Sequence, residues 1–203
     1  MWKPWVGEYY DAARLLLLGE SAYDWRETDG ELRTPTERHS IDLVEWVIGD
    51  FDACCRRDDG IGFMVKLSRA LTANERPTQA QLQCAWDRVA FTNYVPHTIG
   101  AGARLRPSRE LWETAREEFP QLLADLDPDR VIVLGKELWS RMPKAQVYIS
   151  DEMQGYVKSN GEVAYCYAVK HPSAGVRWRD LAALIHFACG KALRKYENRP
   201  EAQ

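Results

Sequence analysis

Long apolar stretches are missing from this chain of 203 residues: no run reaches eighteen apolar residues, the length a membrane-spanning helix requires. The amino terminus, Met1-Trp2-Lys3-Pro4-Trp5, has no apolar signal-like core. Cysteine is scarce and lacks any pairing pattern. Cys54, Cys55, Cys84, Cys166 and Cys189 make an odd set without a Cys-x-x-Cys pair, which fits neither a disulfide scaffold nor a cysteine-built zinc or iron–sulfur site. Reduced, mostly buried thiols in a cytoplasm suit that usage. Positive charge is not in excess either. With 27 Lys and Arg against 30 Asp and Glu the formal net charge is −3, so bulk charge would not hold a nucleic acid. A local basic groove is still compatible with this balance, because arginines cluster in Arg104 to Arg109 and in Arg177 to Arg179. No repeat and no long linker interrupts the chain. The expectation is a soluble cytoplasmic protein with one domain over residues 1–203, its core running from about 12 to 195, without metal or cofactor and without a membrane partner. The oligomeric state is not encoded in any legible pattern.

Aromatic residues, by contrast, are plentiful. Eight tryptophans and nine tyrosines serve either as core and amphipathic surface or as walls of a ligand site. Leu15-Leu16-Leu17-Leu18 is apolar at every position and reads as a strand buried on both faces, the pattern of a parallel α/β sheet. It ends in Gly19-Glu20-Ser21-Ala22-Tyr23-Asp24, so polar groups arrive at the carboxyl edge of the sheet, where open α/β folds place ligands.

Further strands are expected at Arg88 to Asn93 and Val131 to Gly135, and a hairpin at Tyr156 to Lys158 and Val163 to Val169 around Asn160-Gly161. Val147 to Ile149 is a further candidate strand. Helical periodicity predicts a helix from Thr34-Pro35-Thr36-Glu37 to Phe51, another over Ile61 to Leu71, and a third over Gln79 to Trp86. A fourth starts at Ser108 and ends or kinks at Pro120, a short one runs to Met142, and the last runs from Arg179 with Leu193 facing inward. Trp25 to Arg33 and Tyr94 to Pro107 read as loops. Strands alternate with helices throughout, so the fold class is α/β.

Three of these strands end in groups with chemistry: Glu20 to Tyr23, Asn93, and His171-Pro172-Ser173-Ala174-Gly175. If the strands are parallel neighbours their carboxyl ends converge, bringing a carboxylate, an amide and a histidine into one pocket. The order of these motifs resembles the uracil-DNA glycosylase superfamily, whose best-known class has Gly-Gln-Asp-Pro-Tyr-His after a buried strand, a strand ending in a base-reading Asn, and a late His-Pro-Ser. The resemblance spans about Leu15 to Ile185. It implies a three-layer α/β/α fold with a central, mostly parallel four-stranded sheet, and a pocket for a base flipped out of DNA.

By the same resemblance Asn93 hydrogen-bonds the base edge, Tyr23 walls off its C5 edge, and Phe91 is a candidate stacking partner. His171 stabilises the departing base. Ser173 holds a phosphate, with Arg177 beside it. Ser21 stands where the best-known class has its water-orienting Asp, among the residues that meet the base. Glu20 resembles the glutamate of the Gly-Glu-Ala-Pro-Gly class and takes over the carboxylate role, although the four cysteine ligands of that iron–sulfur class are absent. Val176 or Arg177 lies where a wedge residue follows His-Pro-Ser, without the expected leucine. The leading expectation is a hydrolase that cleaves the N-glycosidic bond of uracil or another deaminated base in single- or double-stranded DNA. The alternatives are a non-catalytic nucleic-acid or nucleotide-binding protein of the same fold, and a hydrolase of free nucleosides.

Overall fold

A computed structural model describes residues 2–26, 31–56, 61–101 and 105–189. The chain opens with a two-residue strand, β1 (Trp5–Val6), and a single 3-10 turn over Tyr10–Ala12. The leucine run is β2 (Leu15–Gly19), with all five residues buried. It is followed by β3 (Ala22–Arg26) and β4 (Leu32–Arg33). Three helices come next: α1 (His39–Gly49), α2 (Phe51–Arg56) and α3 (Gly62–Thr72). Then come α4 (Gln79–Trp86), β5 (Val89–Asn93), β6 (Thr98–Ala101) and α5 (Arg109–Leu126). The last third comprises β7 (Arg130–Leu134), α6 (Lys136–Arg141), β8 (Val147–Ser150), β9 (Met153–Val157), β10 (Val163–Val169) and α7 (Trp178–Cys189).

The main sheet has the order β1-β5-β2-β7-β10-β9-β8. The expected four-stranded sheet is therefore corrected to seven strands. Its centre, β5-β2-β7-β10, is parallel throughout, and β1, β9 and β8 extend it by antiparallel pairing. The extensions are short or one-sided, so they lack the continuous apolar run that marks the four central strands. Strand β1 also carries the sheet upstream of residue 12, where the core was expected to begin. The carboxyl end of the predicted core, including Leu193, lies outside the described residues.

Alternation along the strands splits the interior in two. Leu15, Leu17, Val89, Phe91, Ile132 and Leu134 face a cluster built with α1 to α4 and α7. Leu16, Leu18, Ala90, Val131, Val133 and Cys166 face the opposite cluster, built with α5 and α6. Each fully enclosed leucine contributes roughly 1.5–3 kcal/mol of transfer free energy, which is why four in succession form a two-sided strand rather than an amphipathic one.

Local signals explain most element ends. Thr78 caps α4 through a reciprocal capping box with Gln81. Ser108 caps α5 by accepting from the Leu111 amide. Pro120 does not end that helix, which continues to Leu126 because Phe119, Leu122 and Leu123 anchor both sides of the proline in the core. The helix expected to run through Phe51 is divided at Asp50, whose side chain accepts from the Ala53 amide and starts α2. Two stretches read as loops contain strands: β3 pairs antiparallel with β4 and parallel with β6 in a second, three-stranded sheet.

Candidate active site

Parallel pairing puts the motif-bearing residues on one edge. Gly19 pairs with Asn93 across β2 and β5, and Leu134 pairs with Val169 across β7 and β10. Pairing continues beyond the strands, with the amides of Tyr94 and Val95 donating to the carbonyls of Gly19 and Glu20. The order along the edge is thus Asn93, Glu20, Gly135 and then the turn that carries His171.

Two glycines make this crowding possible. A Cβ on Gly19 would lie 2.3 Å from Asn93 Oδ1, so the Asn93 amide occupies the space of the absent side chain. Gly135, at the end of β7, has φ +146°, a backbone state that side chains resist, and His171 Cβ stands 4.0 Å from where its own Cβ would be. Its amide donates to the Val169 carbonyl, which ties the turn after β10 to the sheet edge.

Glu20 is 9% exposed, and Arg106 Nη1 donates to its Oε1 at 2.9 Å. Burial raises the Glu20 pKa, with Arg106 opposing it and Glu137 adding to it. Tyr23 stands beside this pair and donates from its hydroxyl to the Leu105 carbonyl at 3.0 Å. That bond fastens the loop bearing Arg106. Asp24 accepts from Thr98 Oγ1 at 2.8 Å and joins β3 to β6 over the same edge. Ser21 Oγ is shut off from solvent without a well-formed hydrogen bond.

His171 is only partly buried. Its Nδ1 accepts from the Ser173 amide at 3.2 Å and lies 2.6 Å from Ser173 Oγ. An amide can only donate, so Nδ1 holds the lone pair and the neutral ring carries its proton on Nε2. Burial lowers the His171 pKa, and the charges of Arg106 and Lys66 lower it further. The neutral Nε2–H donor is therefore the resting form. The Phe63 ring lies 5.9 Å from the imidazole, centroid to centroid.

The structure thus brings Glu20, Tyr23, Asn93 and His171 to one edge, with Ser21 beneath them. Three expected roles change. Phe91 is fully enclosed, packed on Trp86 and Phe63, so it belongs to the core and has no face for a ligand. Ser173 spends its amide and hydroxyl on orienting His171. Arg177 forks onto Asp180 at 2.9 and 3.2 Å, and Val176 packs against the core instead of projecting as a wedge. Arg104 lies outside the described residues.

Phe63 and Lys66 were not found by reading the sequence. They sit on α3, three residues apart and hence on one helix face, and Lys66 Nζ donates to the Pro172 carbonyl at 2.6 Å. Their spacing alone said only that an aromatic and a lysine share a face; the packing of α3 against the turn after β10 made that face part of the site. Among the described residues no group of His, Cys, Asp and Glu is arranged to hold a metal ion, and no helix is long and apolar enough to cross a membrane. No family model matches this chain, and no curated protein is significantly similar to it.

Proposed function

We propose that this protein is a uracil-DNA glycosylase-like hydrolase that cleaves the N-glycosidic bond of uracil or another deaminated base turned out of DNA. The observation that carries this reading is the convergence of Glu20, Asn93 and His171 at the carboxyl edge of parallel strands, with the imidazole held as an Nε2–H donor. Asn93 has both a donor and an acceptor for the edge of a pyrimidine. The bond from C1′ to the base nitrogen breaks with its electron pair leaving on the base. His171 Nε2–H donates to the base carbonyl oxygen, where that negative charge gathers. Glu20 faces the sugar, stabilises its growing positive charge and takes a proton from the water that attacks C1′.

Base release from uracil- and hypoxanthine-containing oligonucleotides, single- and double-stranded, tests the proposal. Glu20→Gln and His171→Ala each lower the rate by on the order of 10²-fold. Release that is unchanged in both variants, or absent from every substrate, refutes it. The ion pair that already occupies Glu20 favours one second reading, a binding protein without turnover. Oligonucleotide binding that survives Glu20→Gln, with no release by the parent protein, selects that reading.

A further inference from the structure

We infer that Arg106 is a phosphate-responsive latch, whose guanidinium exchanges the Glu20 carboxylate for a backbone phosphate of the incoming strand and so frees Glu20 to face the sugar. The catalytic purpose of this exchange rests on the glycosylase reading; the exchange itself does not. The two partners differ sharply in exposure. The Glu20 side chain is 10% exposed and fixed behind the sheet edge, whereas the Arg106 side chain is 59% exposed and stands where a polyanion would arrive. Their contact is a single bond, Nη1 to Oε1, so it uses none of the fork geometry with which arginine binds oxyanions best.

The backbone around Arg106 is held while the side chain is not. Leu105 is tied by Tyr23, Pro107 is buried, and Ser108 caps α5. Exchange therefore needs rotation of the side chain alone. A second cation stands at the turn that carries His171: Lys66 Nζ donates to the neutral carbonyl of Pro172. Leaving Arg106 on Glu20 would set a guanidinium and a cationic sugar against one carboxylate, and the phosphate resolves that conflict. The arrangement favours substrates that carry phosphate over free nucleosides.

The test reads Glu20 itself. Besides Arg106, the groups facing its carboxyl are Tyr23 on β3 and Glu137 and Arg141 on α6. In protein with 13C-labelled glutamate, the Glu20 carboxyl resonance, assigned with Glu20→Gln, is titrated alone, with uridine, and with an oligonucleotide bearing a tetrahydrofuran abasic analogue. The expected result is a midpoint raised by about one pH unit or more with the oligonucleotide, and no change with uridine. Arg106→Ala starts at the raised midpoint and stays there. A midpoint that does not move with the oligonucleotide bound, or failure of the oligonucleotide to bind, overturns the latch. Base release with an unmoved midpoint removes the latch alone; a moved midpoint without release removes the glycosylase reading and leaves the exchange standing.

Discussion

Gly19 shows how one missing side chain organises the site. The Asn93 amide fills the volume where its Cβ would be, and the Phe91 ring edge lies 3.6 Å from that same point. Gly19→Ala should lower stability by about 1–3 kcal/mol through overpacking and displace the Asn93 amide, the base reader of the proposed function. Because the clash is with Asn93, the same substitution should cost much less in an Asn93→Ala background. Thermal or urea unfolding of the single and double variants measures that coupling; strictly additive losses would mean that the glycine is needed for another reason. The glycine was legible in the sequence as the end of a strand. Its occupant was not, since residues 19 and 93 meet only through parallel pairing. Phe91 is the opposite case: two residues before Asn93 it shares that residue's face of the strand, but lying further from the sheet edge it is enclosed by Trp86 and Phe63.

Elements on the far edge of the sheet are locked by charge. Lys158, in the turn between β9 and β10, is 3% exposed and meets Asp127 at 2.8 Å, Glu162 at 3.1 Å and Asp129 at 3.5 Å. Arg14 joins the same carboxylates from the start of β2. Arg14 and Asp127 both hold positive φ, at +46° and +43°, which costs free energy that the network offsets. Burial alone would lower the Lys158 pKa, but hydrogen bonds to Asp127 and Glu162 leave it above the usual lysine range. Lys158→Met keeps the apolar stem and removes the charge. Its carboxylate partners are 41–59% exposed, so the expected loss is about 2 kcal/mol, below the roughly 3–5 kcal/mol of a fully buried pair. A urea midpoint equal to that of the parent, at unchanged slope, contradicts this role. The turn signals Asp127-Pro128-Asp129 and Asn160-Gly161 were readable in sequence, whereas their meeting across β7 and β10 was decided by strand order.

For the whole molecule, pH acts through a histidine outside the site. His39 begins α1 and is 9% exposed; burial lowers its pKa to about 4, with Asp42 opposing, and the helix start also disfavours a cation. Since the folded value lies below the unfolded one of 6.5, stability is fully present above pH 6.5 and is lost as pH falls from there towards 4. The loss is at most about 3 kcal/mol. Urea unfolding of the parent and of His39→Gln at pH 7, 5 and 4 should diverge by that amount, and parallel curves would assign acid lability elsewhere. At this scale the sequence by itself determined the α/β class, the buried strands β2, β5 and β7, the β9–β10 hairpin, and the polar groups that follow β2, β5 and β10, because apolar runs, turn signals and caps act within a few residues. Only the tertiary structure decided the antiparallel addition of β1 to the sheet, the pairing of Glu20 with Arg106, and the entry of Phe63 and Lys66 from α3. These depend on contacts between segments tens of residues apart, and strand order and helix packing, which no local pattern encodes, select those contacts.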